Sequence, residues 1–176
     1  MQIGVIGSAG VEEYPRGSSR LSKANKIAEN IGKLVAQYGG ILICGGKGGV
    51  MEYACRGAKK YGGLTVGIVK NDSRGTANKY VDVEIVSNMN STGGESLLIA
   101  SSDGIIAIGG GSGTLQELAI AYRKQKPIVA LTSVEGWAKK LAGKYLDERM
   151  LTKIEKAENS NGAIKMLLEK INKCYS

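Results

Sequence analysis

Short runs of Ile, Val and Leu alternate along this chain with stretches of helical apolar spacing, and glycines stand at most of the joints. That alternation constrains the fold more than any other feature. The runs at 2–7, 41–44, 64–69, 105–108 and 128–131 are too short for helices and too continuously apolar for half-exposed strands. They read as strands buried on both faces, as in a parallel sheet whose crossover helices cover it from two sides. Between the first two runs, Leu21–Tyr38 places Ile27, Ile31, Leu34, Val35 and Tyr38 on one helical face, with Lys26, Glu29, Lys33 and Gln37 elsewhere. Helices are also predicted over Val50–Tyr61, Ser96–Ser101, Thr114–Lys124 and Trp137–Leu146. Val81–Val86 mixes apolar and acidic residues and is predicted as a less buried strand, with Ile154–Ala157 a last edge strand. Ser160 is expected to N-cap a final helix that buries Ile164, Leu167, Leu168 and Ile171. The expected architecture is α/β: one doubly wound, mainly parallel sheet with helices on both faces. Its 176 residues fit a single domain, 1–176.

Two of the joints are unusually rich in glycine. ILICGGKGGVME spans 41–52 and GIIAIGGGSGTLQE spans 104–117. A strand that ends in glycines before a helix leaves amide N–H groups open at the positive end of the helix dipole, a place suited to a phosphate. In such sheets ligands bind beyond the carboxyl ends of the strands, and both turns belong on that edge, as does the Ser8–Gly10 loop. The candidate ligand residues are Gly45, Gly46, Lys47, Gly48 and Gly49 in the first turn, and Gly110, Gly111, Ser112, Gly113 and Thr114 in the second. Ser8, Gly10, Glu52 and Asn78 are candidates to line the cleft, and Asp72, Arg74 and Asn78 to cover it. Met51 reads as core and Asp103 as a turn residue. Glu117 has two readings. Thr114-Leu115-Gln116-Glu117 fits a capping box, in which Glu117 bonds back to the helix start; alternatively its carboxylate faces the ligand as a ribose contact or general base.

Several chemistries are excluded or disfavoured. Histidine is absent, which removes imidazole relays and His metal sites. Cys44, Cys55 and Cys174 have no metal-ligand spacing, so no metal site is expected, and free thiols fit a reducing, cytoplasmic setting. The first turn lacks the G-x-x-x-x-G-K-[ST] of a Walker A loop, and GVIGSAG lacks G-x-G-x-x-G. MQIGVIGSAG is too short and glycine-broken for a signal peptide, and no apolar run is long enough to span a membrane. The net charge of +8 favours anionic ligands. It is dispersed, and no specific nucleic-acid motif accompanies it.

VIGSAG, GGKGGVMEYACRGAKKYGGLTVGIV and SSDGIIAIGGGSGTLQELAIAYRKQKPIVAL, in this order over residues 2–131, resemble the Lonely Guy superfamily of Rossmann-like proteins. The branch they resemble includes molybdenum cofactor carrier proteins. The resemblance implies a Rossmann-like fold, a homodimer or higher homo-oligomer, and a cleft for a phosphorylated ligand at the two turns. Lonely Guy enzymes cleave the N-glycosidic bond of nucleoside 5′-monophosphates, using a Glu in P-G-G-x-G-T-x-x-E together with an Arg from a preceding helix. Here Gly109 replaces the proline, Glu117 is retained as the candidate catalytic residue, and the Arg is missing: the corresponding stretch reads Thr92-Gly93-Gly94-Glu95-Ser96. Lys47 or Lys79 could replace it only if the fold brings one of them into the cleft. The lysine decarboxylase label carried by some relatives has no chemical support, because nothing marks a pyridoxal-phosphate lysine.

The expected function is therefore binding of a phosphate-bearing small molecule, either a nucleotide or a molybdenum-cofactor-type pterin phosphate. No cofactor is required beyond that ligand, and no membrane or specific nucleic-acid partner is expected. The alternative is a nucleoside 5′-monophosphate phosphoribohydrolase in which Glu117 positions or activates water.

Overall fold

Seven parallel strands form one sheet in the order β4-β3-β2-β1-β5-β6-β7. The computed structural model describes residues 1–10, 19–70, 72–89 and 91–175; part of the loop expected over 8–20 therefore lies outside the described residues. The elements run β1 (Gln2–Gly7), α1 (Ser19–Gln37), β2 (Ile41–Cys44), α2 (Val50–Lys60), β3 (Thr65–Val69), β4 (Val83–Val86), α3 (Ser91–Ala100), β5 (Gly104–Ile108), α4 (Ser112–Arg123), β6 (Ile128–Leu131), α5 (Trp137–Leu141), β7 (Ile154–Ala157) and α6 (Ser160–Tyr175). This is a Rossmann-like α/β fold. The order reverses between β1 and β5, which pair from Ile3–Gly104 to Gly7–Ile108. A reversal of this kind opens a crevice at the carboxyl edge, because the chains leaving the two strands depart to opposite faces.

Alternation along each strand supplies both cores. Ile3 and Val5, with Ile106, Ile108, Val129 and Leu131, pack against α1, α2 and α6. Ile6, Ile43, Ile105, Ala107, Ile128 and Ala130 pack on the other side against Leu98, Ile99, Leu118, Ala121 and Tyr122 of α3 and α4. Among the described residues the edge strand β4 pairs only with β3, and Val83 and Ile85 are exposed. Glu84 alternates with them and accepts from loop amides at 75–77.

Strand ends match the apolar runs closely; helix starts do not. α3 begins at Ser91, five positions before the expected start, and takes in Gly93 and Gly94. α4 begins at Ser112, so its cap is Gly111 with no side-chain bond, and Thr114 lies inside the first turn. The last helix is capped by Asn159 rather than Ser160: the Asn159 carboxamide oxygen accepts from Gly162 N–H (2.9 Å), while the Ser160 hydroxyl donates to the Ile27 carbonyl (3.2 Å).

Helices α1 and α2 cross with their main chains in contact. A Cβ on Gly32 would overlap the Ala54 carbonyl, and one on Gly57 the Glu29 carbonyl. Helix propensity alone would favour Ala over Gly at position 57 by about 1 kcal/mol, but carbonyl overlap in a packed crossing costs about 1–3 kcal/mol. Gly57→Ala is therefore expected to lower the denaturation midpoint. An unchanged or raised midpoint in urea would show that the two helices separate freely.

Candidate functional site

The carboxyl ends of β1, β2, β3 and β5 converge on one cleft of about 170 Å3. Gly7 and Ala9 come from the end of β1, Gly45, Lys47 and Met51 from the first glycine turn and α2, and Lys70 from the end of β3. Glu95 of α3 and Gly113, Thr114 and Glu117 of α4 complete the wall. The two glycine-rich turns thus face a shared space. Larger depressions exist elsewhere. One of about 430 Å3 lies between α1 and α2, where Arg56 and Glu29 pair across it (2.5 Å), away from the strand ends.

Backbone contact fixes this convergence. Gly49 has φ +63°, and a Cβ there would overlap the Ser8 carbonyl. With no Cβ, the start of α2 rests on the β1 loop, and Val50 N–H donates to that same carbonyl (2.9 Å). On the other turn Gly110 has φ +86° and lies against the buried Thr114 side chain. Trp137 and Ala138 N–H donate to the Gly110 and Gly109 carbonyls (2.9 and 3.0 Å), so α5 holds that turn from behind.

The first turn is braced as well. Asn78 N–H donates to the Gly46 carbonyl (2.7 Å), and the Asn78 carboxamide donates to the carbonyls of Gly46 (3.2 Å) and Lys47 (2.9 Å). The loop carrying Asn78 is held in turn by Glu84, which accepts from Gly75, Thr76 and Ala77 N–H. These bonds, that from Gly75 first, keep the Glu84 carboxyl below its usual range. Gly46 N–H points inward to the Cys44 sulfur (3.3 Å). Its donor is thus occupied and not available to a ligand.

The remaining predicted residues fall as follows. Gly46, Gly48, Glu52, Asn78 and Lys79 line an adjoining depression that shares Lys47 with the cleft. Ser8 is buried, and its hydroxyl accepts from Gly10 N–H (3.3 Å). Asp72 and Arg74 are exposed and line neither hollow. Asp103 accepts from Gln2 N–H (2.7 Å) at the opposite end of the sheet. Met51 belongs to the core and also touches the cleft. Glu117 lies on the second turn of α4, past the cap and facing the cleft. Its capping-box reading required the helix to start at Thr114.

Sequence reasoning missed the Lys70–Glu95 pair. Lys70 Nζ lies 2.6 Å from Glu95 Oε1, and the Glu95 side chain is 5% exposed. A Cβ on Gly94 would come within 3.1 Å of Lys70 Cγ, so the lysine stem runs through the space where α3 carries no side chain. The cation near the cleft therefore comes from β3 and not from α3, Lys47 aside. A signal was available: a charged residue directly after a buried strand is placed on the ligand-binding edge. Gln116 donates to the Thr92 hydroxyl (2.8 Å) and ties α4 to the start of α3. Among the described residues no group of His, Cys, Asp or Glu could hold a metal ion, and no helix is long and apolar enough to cross a membrane.

A reversed parallel sheet, with two glycine-rich turns and two helix N-termini opening on its crevice, defines a Rossmann-type protein with its cleft at the switch point. The chain belongs to the SLOG cluster4 family, whose model matches residues 1–163. An uncharacterized protein of Archaeoglobus fulgidus is 38% identical over 131 residues, covering 74% of this chain and 80% of that protein. Among solved structures, the molybdenum cofactor binding protein from Rippkaea orientalis is 30% identical with a TM-score of 0.80, covering 97% of this chain and 96% of that one. The molybdenum cofactor carrier protein from Chlamydomonas reinhardtii is 28% identical with a TM-score of 0.77, covering 98% of each chain.

The buried thiols beneath the first turn give a check on its rigidity. Cys55 Sγ lies 3.5 Å from Cys44 Sγ, and both are buried, while Cys174 is exposed. The bond to Cys44 and burial both push the Cys55 thiol up, and that same bond pulls Cys44 down. A thiol reagent should label one cysteine rapidly in the folded protein and all three after denaturation, because reaction needs an exposed thiolate. Rapid labelling of Cys44 in the folded state would show that the turn opens.

Proposed function

We propose that this chain binds a phosphate-bearing small molecule in the switch-point cleft, with the phosphate on the amides at the start of α4 and beside Lys47. The carrying observation is the meeting of Gly45 and Lys47 with Gly113 and Thr114 around one space. A Cβ on Gly113 would meet nothing within 4 Å, so that backbone is open to an incoming group. Open amides at a helix N-terminus bind anions through both hydrogen bonds and the dipole. The named ligand of the similar Rippkaea and Chlamydomonas proteins supports a molybdenum-cofactor-type pterin phosphate as cargo; a nucleotide presents the same phosphate chemistry. Occupancy by such a ligand stabilises the folded state by mass action. Inorganic phosphate, ribose 5-phosphate and nucleoside monophosphates should each raise the unfolding temperature in proportion to affinity. Gly113→Val should abolish the shift with little change in unliganded stability. No shift with any of these, or an undiminished shift in the variant, would remove the phosphate site from this cleft.

One observation supports a second reading. Glu117 faces the cleft as the motif of the phosphoribohydrolases requires. If the chain cleaves nucleoside 5′-monophosphates, AMP or GMP should release free base, and Glu117→Gln should reduce that release by at least about a hundredfold. Release that survives the substitution would refute Glu117 as the acting group.

A further inference from the structure

Glu95 is the one buried carboxylate among the described residues, and it is only half satisfied. Oε1 accepts from Lys70 Nζ at 2.6 Å; Oε2 is sealed from solvent and receives no hydrogen bond among the described residues. Leaving a buried charged oxygen without a donor is among the costlier arrangements in a folded protein. Lys70 neutralises the charge but leaves the second oxygen unserved. The group stands in the wall of the cleft beside Lys70 and Glu117, which is where a missing donor would arrive with a ligand. The terminal carboxylate torsion is broad, and the partly exposed Lys70 side chain has room to follow Oε1 as Oε2 turns toward the cleft.

Resting on the binding role proposed above, we propose that Glu95 selects the ligand's heterocycle. It accepts hydrogen bonds from a ring N–H and an adjacent exocyclic amino group, the edge shared by guanine and pterins. Two parallel donors match the two oxygens of a carboxylate. An edge that carries a carbonyl in place of the amino group sets oxygen against oxygen and is rejected. The phosphate amides fix one end of the ligand, and Glu95 reads the other.

Binding of GMP, IMP, XMP and ribose 5-phosphate, measured by calorimetry on the full chain, tests this. The three nucleotides differ at the purine 2-position, which carries an amino group, a hydrogen and a carbonyl in turn; ribose 5-phosphate gauges the phosphate end by itself. The unmodified protein should bind GMP about 10- to 100-fold more tightly than XMP, with IMP between them. Glu95→Gln keeps an acceptor for Lys70 and offers an amide donor, so it should erase or invert the preference for GMP over XMP. Equal affinity of the unmodified protein for GMP and XMP, alongside measurable ribose 5-phosphate binding, would overturn the role of Glu95 and leave the phosphate site standing. So would a GMP preference that persists in Glu95→Gln. Failure of all four ligands, ribose 5-phosphate included, would overturn both proposals. The series on the unmodified protein decides the matter even if the variant does not fold.

Discussion

Main chain lying directly on main chain, at Gly49 against the Ser8 carbonyl, is the contact on which the cleft depends. Helix α2 starts there because Val50 N–H finds that carbonyl, and a side chain at position 49 would force the two loops apart. Once the loops after β1 and β2 are joined, the pairing of β1 with β5 carries the second turn to the same edge. The crevice is then a consequence of strand order, and its polarity a consequence of three strands ending in backbone rather than bulky side chains. The braces act on that geometry from outside. Asn78 takes up carbonyls of the first turn, and the start of α5 takes up those of the second. Carbonyls engaged in this way are not free to face an anion, and any turn amide left open would favour one.

The charges nearest the cleft do not add up to a simple cationic pocket. Lys70 is paired with a buried carboxylate, and Glu117 stands in the same wall. Lys47 is exposed, so its charge is strongly screened. On the proposed reading, attraction for an anion rests chiefly on the amides and helix N-termini of the turns, whose partial charges are fixed in direction and need no reorganisation. The excess of eight positive charges is distributed over the surface and acts on approach rather than on the bound geometry.

The strands were legible because burial on both faces leaves a continuous apolar run that ends where the chain leaves the sheet. β1, β2 and β6 occupy the residues expected from such runs, and the edge strand β7, IEKA, also falls at its expected residues. Helix starts were less legible because the deciding contacts are tertiary. Gly93 and Gly94 read locally as helix breakers, yet they lie inside α3, where Met89 packs too close for a Cβ on Gly93 and the Lys70 stem leaves little room for one on Gly94. Thr114 and Ser160 carry hydroxyls that suit a cap, but the first is packed under Gly110 and the second reaches across to α1. The glycine turns announced the cleft; which of their amides stay open did not follow from spacing, since the Gly46 donor is taken by the sulfur of Cys44. Lys70 and Glu95 lie 25 positions apart, and only the adjacency of α3 to the end of β3 reveals that they meet.

The same pair bears on whether the cleft holds its ligand or cleaves it. Breaking an N-glycosidic bond puts charge on the departing base and on the sugar, and catalysis requires groups that oppose that charge more strongly in the transition state than before it. An arginine left free to move onto the ligand can do so. Lys70 is held by the buried Glu95 carboxylate at 2.6 Å, so much of its field is already answered by a carboxylate. Drawing it toward developing negative charge would strip a buried carboxylate of its one hydrogen-bond partner among the described residues, a cost that opposes the move. Lys47 also lines the cleft, so a positive counterpart for Glu117 would have to come from that exposed lysine and not from Lys70. On the proposed reading, a carboxylate that reads the heterocycle and a cation tied to that carboxylate favour holding the ligand over breaking it.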